Sequence, residues 1–203
     1  MSGTVKRARG KARYEQVLDA CASLLRENQH TRFSMQQLAA KAQASNGSIY
    51  HLFPEKSAVL AELWSRHTLA CSQIFQEMLS IDDEDWQDWS SDDVIDNMIL
   101  PTLRYLADNE DLLVLWNQHG EADCGAEDLS QMVRELYGKV LSIRIPKASV
   151  VERLQVLEML MLIPLGVLRP PSQQRKIPMA TLLLGECVHS FRAYLAYTEA
   201  RFR

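Results

Sequence analysis

Between Ser34 and Leu60 the chain reads SMQQLAAKAQASNGSIYHLFPEKSAVL. Its middle sets Ser45, Asn46, Gly47 and Ser48 in a row, followed by Tyr50 and His51 with their polar tips. Hydroxyls and a carboxamide at this density suit the donor and acceptor edges of bases, which are closest to the N-terminal end of a helix lying in a DNA groove. Gly47 has no side chain, so the backbone can approach a ligand closely there. Tyr50, His51 and Lys56 carry groups that reach phosphates. Ser34 opens a helix whose free N–H groups and positive dipole end suit a phosphate as well.

Catalytic chemistry has no comparable footing. The sequence holds no nucleophile–base motif, no glycine-rich phosphate loop and no HExxH pair, and His30, His51, His67, His119 and His189 are scattered. The carboxylates of 82–96 (DDEDWQDWSSDDVID) match no EF-hand loop, which needs a glycine at its turn and a closing glutamate. No enzyme activity, metal or cofactor is expected. Cys21, Cys71, Cys124 and Cys187 form no CxxC pair and read as reduced, buried thiols. No apolar stretch follows the basic N-terminal residues, and the longest apolar run, 154–168, is short for a bilayer and carries Glu158 and Pro164. A soluble cytoplasmic protein without membrane contact is the expectation.

The net charge of −4 is unevenly divided. Residues 1–60 hold nine Lys and Arg against four acids, whereas the rest of the chain carries a net charge of −9. A cationic end that meets a polyanion and an acidic body that does not would produce this division.

The elements that must position these groups are helical throughout. Gly and Pro are sparse, helix formers dominate, and alternating β-branched runs are absent. Residues 1–11 read as a flexible basic arm. Tyr14, Val17, Leu18, Cys21, Leu24 and Leu25 fall on one helical stripe. Ser34 and Gln37 have capping-box spacing, so a second helix begins there and breaks at 43–45. A third, 46–52, ends before Pro54, which disfavours a helical Phe53. In so short a helix Ile49 and Phe53 must face inward, because packing alone holds it. A long helix over 55–79 follows. The acidic segment 82–96 reads as a solvated linker. Beyond it, helices are expected over 92–107 (interrupted by Pro101), 109–119, 127–143, 149–168 (capped by Ser149 with Glu152 and kinked at Pro164) and 177–202.

Two short helices joined by a four-residue turn and packed on a third make a helix-turn-helix unit. The stretch FSMQQLAAKAQASNGSIYHLFPEKSAVLAEL resembles the N-terminal DNA-binding domain of TetR-type transcriptional regulators. Leu38-Ala39, Ala42, Ser45, Gly47, Ile49-Tyr50, Phe53 and Lys56 match the family pattern in register, over about residues 12–62. The departures are Gln43 where the family usually has Gly, Ala44 for a common Val, Leu52 for a phosphate-touching His or Tyr, and Ser57 for a frequent Glu. If position 43 takes a positive φ, Gln costs about 1 kcal/mol relative to Gly.

The resemblance implies an all-α protein with three parts: the arm 1–11, a helix-turn-helix domain 12–56, and an effector-binding and dimerisation domain 57–203. It implies double-stranded operator DNA as partner. Contacts would come from Lys6, Arg7, Arg9 and Lys11 of the arm, Ser34 and Gln36 of helix two, Ser45, Asn46, Gly47, Ser48, Tyr50 and His51 of the recognition helix, and Lys56. Asn46 and Gln36 are the base readers, since Asn and Gln pair bidentately with adenine. It further implies a homodimer through helices about 150–168 and 177–202, reading a palindrome as a repressor released by a small-molecule effector. Trp64, His67, Met98, Tyr105, Trp116 and His119 are the pocket candidates. Few basic residues lie in 61–143, which favours an apolar or cationic effector. The competing reading keeps the DNA-binding domain and makes the body a protein-interaction platform without an effector.

Overall fold

Val17, Leu18, Cys21 and Leu25 recur at helical spacing and are almost wholly buried, so the first helix exists to present this stripe to the two short helices that follow. The computed structural model describes residues 2–119, 126–168 and 181–202, with the side chains of 2–9, 118–119, 126–128 and 165–168 outside that description. Among the described residues every regular element is a helix: α1 (Ser2–Asn28), α2 (Met35–Lys41), α3 (Asn46–Leu52), α4 (Lys56–Leu79), α5 (Asp83–Asp88), α6 (Ser91–Met98), α7 (Leu100–Asp108), α8 (Glu110–His119), α9 (Ala126–Arg144) and α10 (Val150–Leu168). A π-helical stretch, Leu182–Cys187, then leads into α11 (Val188–Arg201). The all-helical fold expected from composition is the one observed.

The chain forms two compact units. The first comprises Met1–His67 and Asp111–Cys124, the second Thr68–Glu110 and Gly125–Arg203. Helix α4 supplies residues to both. Val59, Leu60, Leu63 and Trp64 of α4 and Leu112, Leu113, Val114 and Leu115 of α8 are buried in the first unit.

Within the first unit α3 has only seven residues, too few to be stable alone. Ile49, fully buried, and Phe53 anchor it, and the ring of Tyr14 from α1 lies 4.9 Å from that of Phe53. Phe53 closes α3 in an extended conformation, as a residue before proline should. One expectation needs revision. Residues 2–11 are not an irregular arm but the first turns of α1. Lys, Arg and Ala there are good helix formers, and they outweigh the roughly 1 kcal/mol that Gly10 costs inside a helix.

Three features of the second unit also differ from the sequence reading. The acidic segment is more than a solvated linker: it contains α5, whose Trp86 is completely buried. Its ring meets Trp89 edge-on at 5.0 Å, so two aromatic anchors override the charge around them. The helix expected over 92–107 is two helices, and the break falls at Ile99, with Pro101 inside the first turn of α7 where a missing N–H costs nothing. The last helix is entered through the π-helical stretch containing Gly185.

The expected caps are present. Ser90 rather than Ser91 caps α6, closing a reciprocal box with Asp93. Ser149 and Glu152 close another at the start of α10. Behind these caps Val94, Ile95, Met98, Leu136, Leu160, Leu183, Phe191 and Leu195 fill the core of the unit.

Candidate nucleic-acid interface

The geometry of the helix-turn-helix follows from its caps. The Ser34 hydroxyl accepts from the N–H of Gln37 at 3.2 Å, while the Ser34 N–H donates to the Gln37 side chain at 2.7 Å. Helix α2 thus starts at a fixed residue, with Ser34 and Gln36 exposed beside its N-terminus. Its other end is a Schellman turn. The N–H of Ala44 reaches the carbonyl of Ala39 at 2.9 Å, and that of Gln43 reaches Ala40 at 3.1 Å. Gln43 takes the left-handed conformation this turn requires, with φ of 48°. The positive φ considered from the sequence is therefore real, at a position where glycine is the unstrained choice.

Ser45 then caps α3, its hydroxyl accepting from the Ser48 N–H at 3.3 Å. With Ile49 and Phe53 turned inward, Ser45, Asn46, Gly47, Tyr50 and His51 stand exposed and Ser48 is half-buried. Tyr50 is 51% exposed although it is a large aromatic residue. A Cβ added at Gly47 would meet nothing within 4 Å. Packing within the chain therefore gives no reason for glycine there.

Lys56 is placed differently from a free phosphate donor. Its Nζ donates to the carbonyl of Thr31 at 3.2 Å and lies 5.5 Å from the Phe33 ring centre, so it also fastens the loop before α2. Lys41 is paired with Glu27. Lys11 is exposed on α1, and the side chains of Lys6, Arg7 and Arg9 lie outside the described residues.

The six expected effector residues divide between the units. Trp64, His67 and Trp116 belong to the first, where the two tryptophan rings lie 5.9 Å apart and His67 is hydrogen-bonded to Asp111. Met98 and Tyr105 belong to the second, Met98 fully buried and Tyr105 half-buried. The side chain of His119 lies outside the described residues. In the second unit one hollow of about 600 Å³ is lined by residues 79–84 and Lys139. Another of about 490 Å³ is lined by Gln87, Ile143, Arg144, Pro146, Lys147, Glu199 and Phe202. Neither contains an expected residue. Sequence reading missed Asp111, a buried carboxylate whose partners lie far away in the chain. Among the described residues no cluster of His, Cys, Asp and Glu could hold a metal ion, and no helix is long and apolar enough to cross a membrane.

Residues 17–63 match the family model of the bacterial regulatory proteins of the tetR family. No curated protein sequence matches the chain. Among solved structures, the fold is similar to that of a transcriptional regulator of the TerR/AcrR family from Aquifex aeolicus VF5. That pair has 13% identity and a TM-score of 0.58, over 91% of this chain and 98% of that one. It is also similar to a protein described as a TetR-family transcriptional regulator from Mesorhizobium loti MAFF303099, at 16% identity and a TM-score of 0.53, over 95% and 98%.

Proposed function

We propose that this chain is a transcriptional regulator of the TetR type, which represses transcription by binding a palindromic operator as a homodimer; the match of residues 17–63 to the tetR family model supports that starting point. The observation that carries this reading is the outward face of α3. Ser45, Asn46, Tyr50 and His51 are exposed around a glycine that the fold itself does not need. Asn46 and Gln36 read bases. Ser34, Tyr50 and His51 position the protein on phosphates, with Lys56 and the basic residues Lys6, Arg7, Arg9 and Lys11 adding charge.

A single helix-turn-helix binds weakly, and two copies related by a two-fold axis read two half-sites. The second unit offers a surface for such pairing. Val151, Leu154 and Leu162 of α10 and Tyr197 of α11 are between 53% and 64% exposed. An apolar stripe of this kind supports burial against a second copy. A small apolar or cationic effector lowers DNA affinity by binding the released state better than the DNA-bound one, which is the only way a ligand can shift such an equilibrium.

Selection of duplexes from a random pool by the purified protein at near-physiological salt, followed by sequencing, tests the reading. A two-fold-symmetric consensus is expected. Enrichment of no sequence, with binding that only falls steeply as salt rises, would leave the backbone term alone and overturn it. Thermal shifts with lipophilic cations and acyl thioesters then test the effector; stabilisation by polyanions only would reject that assignment.

A further inference from the structure

Asp111 is completely buried, and each of its carboxylate oxygens is held by a different helix of the first unit. The Arg26 guanidinium near the end of α1 donates to Oδ1 at 2.8 Å. His67 Nε2, on α4 and 2% exposed, lies 2.9 Å from Oδ2. Burial works against the charge of Asp111, but the hydrogen bonds and charges of His67 and Arg26 outweigh it and hold the carboxyl below the ordinary aspartate value. An ionised carboxylate only accepts, so His67 Nε2 carries the hydrogen and its tautomer is fixed.

A buried ionic cluster is a poor choice for stability alone, because apolar residues of similar volume hold helices together as well or better. Its distinctive property is the centre it is built on: removing Arg26 or His67 takes a partner from a carboxylate that is itself completely buried. The helices it joins are not arbitrary. The Val17, Leu18, Cys21 and Leu25 stripe of α1 is core of the helix-turn-helix, and α4 follows the recognition helix after the short break at 53–55. The third member comes from α8, more than forty residues along the chain from His67. Trp116, one turn and a half further along α8, packs on Trp64 of α4, so α8 has two fastenings to the same helix.

We propose that Asp111 is a positioning residue for DNA binding: gripped by Arg26 and His67, it locks α1 and α4 in the arrangement from which α3 binds the operator. The inference rests on the DNA-binding reading above. With the lock open, only a fraction of the molecules is competent, and apparent affinity falls by that fraction.

The test measures affinity for the wild-type-selected duplex by fluorescence anisotropy, far below the unfolding temperature, alongside circular dichroism and thermal melts. Asp111→Asn keeps the shape and removes the charge; it is expected to weaken binding about tenfold while helicity stays native. Arg26→Gln should do the same and Arg26→Lys should restore most of the affinity. The double variant Asp111→Asn/Arg26→Gln should lose no more than the worse single variant, since both act through one contact. Should Asp111→Asn fail to fold, Arg26→Gln with its Lys rescue decides, because Arg26 is 43% exposed and tolerates replacement better. Melting temperatures that fall while affinity of the folded protein stays at the wild-type value would show a purely structural cluster and overturn the proposal with the DNA-binding reading intact. A wild-type protein that selects no duplex overturns both.

Discussion

Nε of Arg144 lies 2.6 Å from an oxygen of Glu199, joining the end of α9 to the end of α11 inside the second unit. Both side chains are nearly buried, at 11% and 8% exposure. Nη1 of Arg144 also donates to the carbonyls of Trp86, Gln87 and Trp89, and the Ser91 hydroxyl donates to Glu199. Arg144→Leu strands a buried carboxylate and three carbonyls, and is expected to cost about 3–5 kcal/mol in urea unfolding. The double replacement Arg144→Leu/Glu199→Leu should recover part of that loss; a double variant as unstable as the sum of the singles would contradict the pairing.

Gly47 separates folding from binding. Replacement by Ala meets open space in the protein and removes the entropic cost of a helical glycine, so stability should rise by about 0.5 kcal/mol. If α3 binds DNA as proposed, operator affinity should fall, because the added methyl would stand between the helix and the duplex. Equal or tighter binding by Gly47→Ala in a gel-shift titration would count against α3 as the recognition helix.

Gln43 carries the strain of the turn. Gln43→Gly takes the same left-handed conformation without a Cβ and should raise stability by about 0.5–1 kcal/mol, less what glycine's freer unfolded chain returns. Gln43→Val, β-branched at positive φ, should lower it. The two melts moving in the same direction would refute the account.

The apolar stripe of the second unit gives a prediction about assembly. Leu154→Glu with Leu162→Glu places charges on side chains already exposed in the single chain, so the monomer should keep its fold. If this stripe pairs two copies as proposed, sedimentation velocity should show a dimer for the wild type and a monomer for the variant. A variant that still sediments as a dimer would put the interface elsewhere.

Acid sensitivity should trace to Asp111. Its folded pKa is held below the ordinary 3.8, so in the acid range the unfolded chain binds more protons than the folded one. The stabilisation is complete above about pH 4 and is lost as pH falls below it. The gap between the urea midpoints of wild type and Asp111→Asn should therefore be largest near pH 7 and narrow as pH falls below about 4. A gap that stays constant would show that this carboxylate is not held ionised.

The recognition motif was legible because its signals are local. Ser34 with Gln37 set the start of α2 and Pro54 set the end of α3; each acts on neighbours within three or four residues. The division of charge and the helical stripes of α1 and α4 are likewise properties of the chain itself. Trp86 was misjudged because five acids and two serines around it outvote two rings in a composition window, whereas burial is decided by what the ring packs on. The split at Ile99 rather than Pro101 reflects a proline that fits a first turn as well as it breaks an interior one.

Sequence alone determined an all-helical protein with a capped second helix and a short, glycine-bearing third helix closed before a proline, since caps, turns and helical periodicity act over a few residues. Only the tertiary structure decided that Asp111 meets Arg26 and His67, and that Arg144 meets Glu199. Those pairs are separated by 44 to 85 residues, and which buried charges meet across such distances depends on how whole helices pack, which no local spacing encodes.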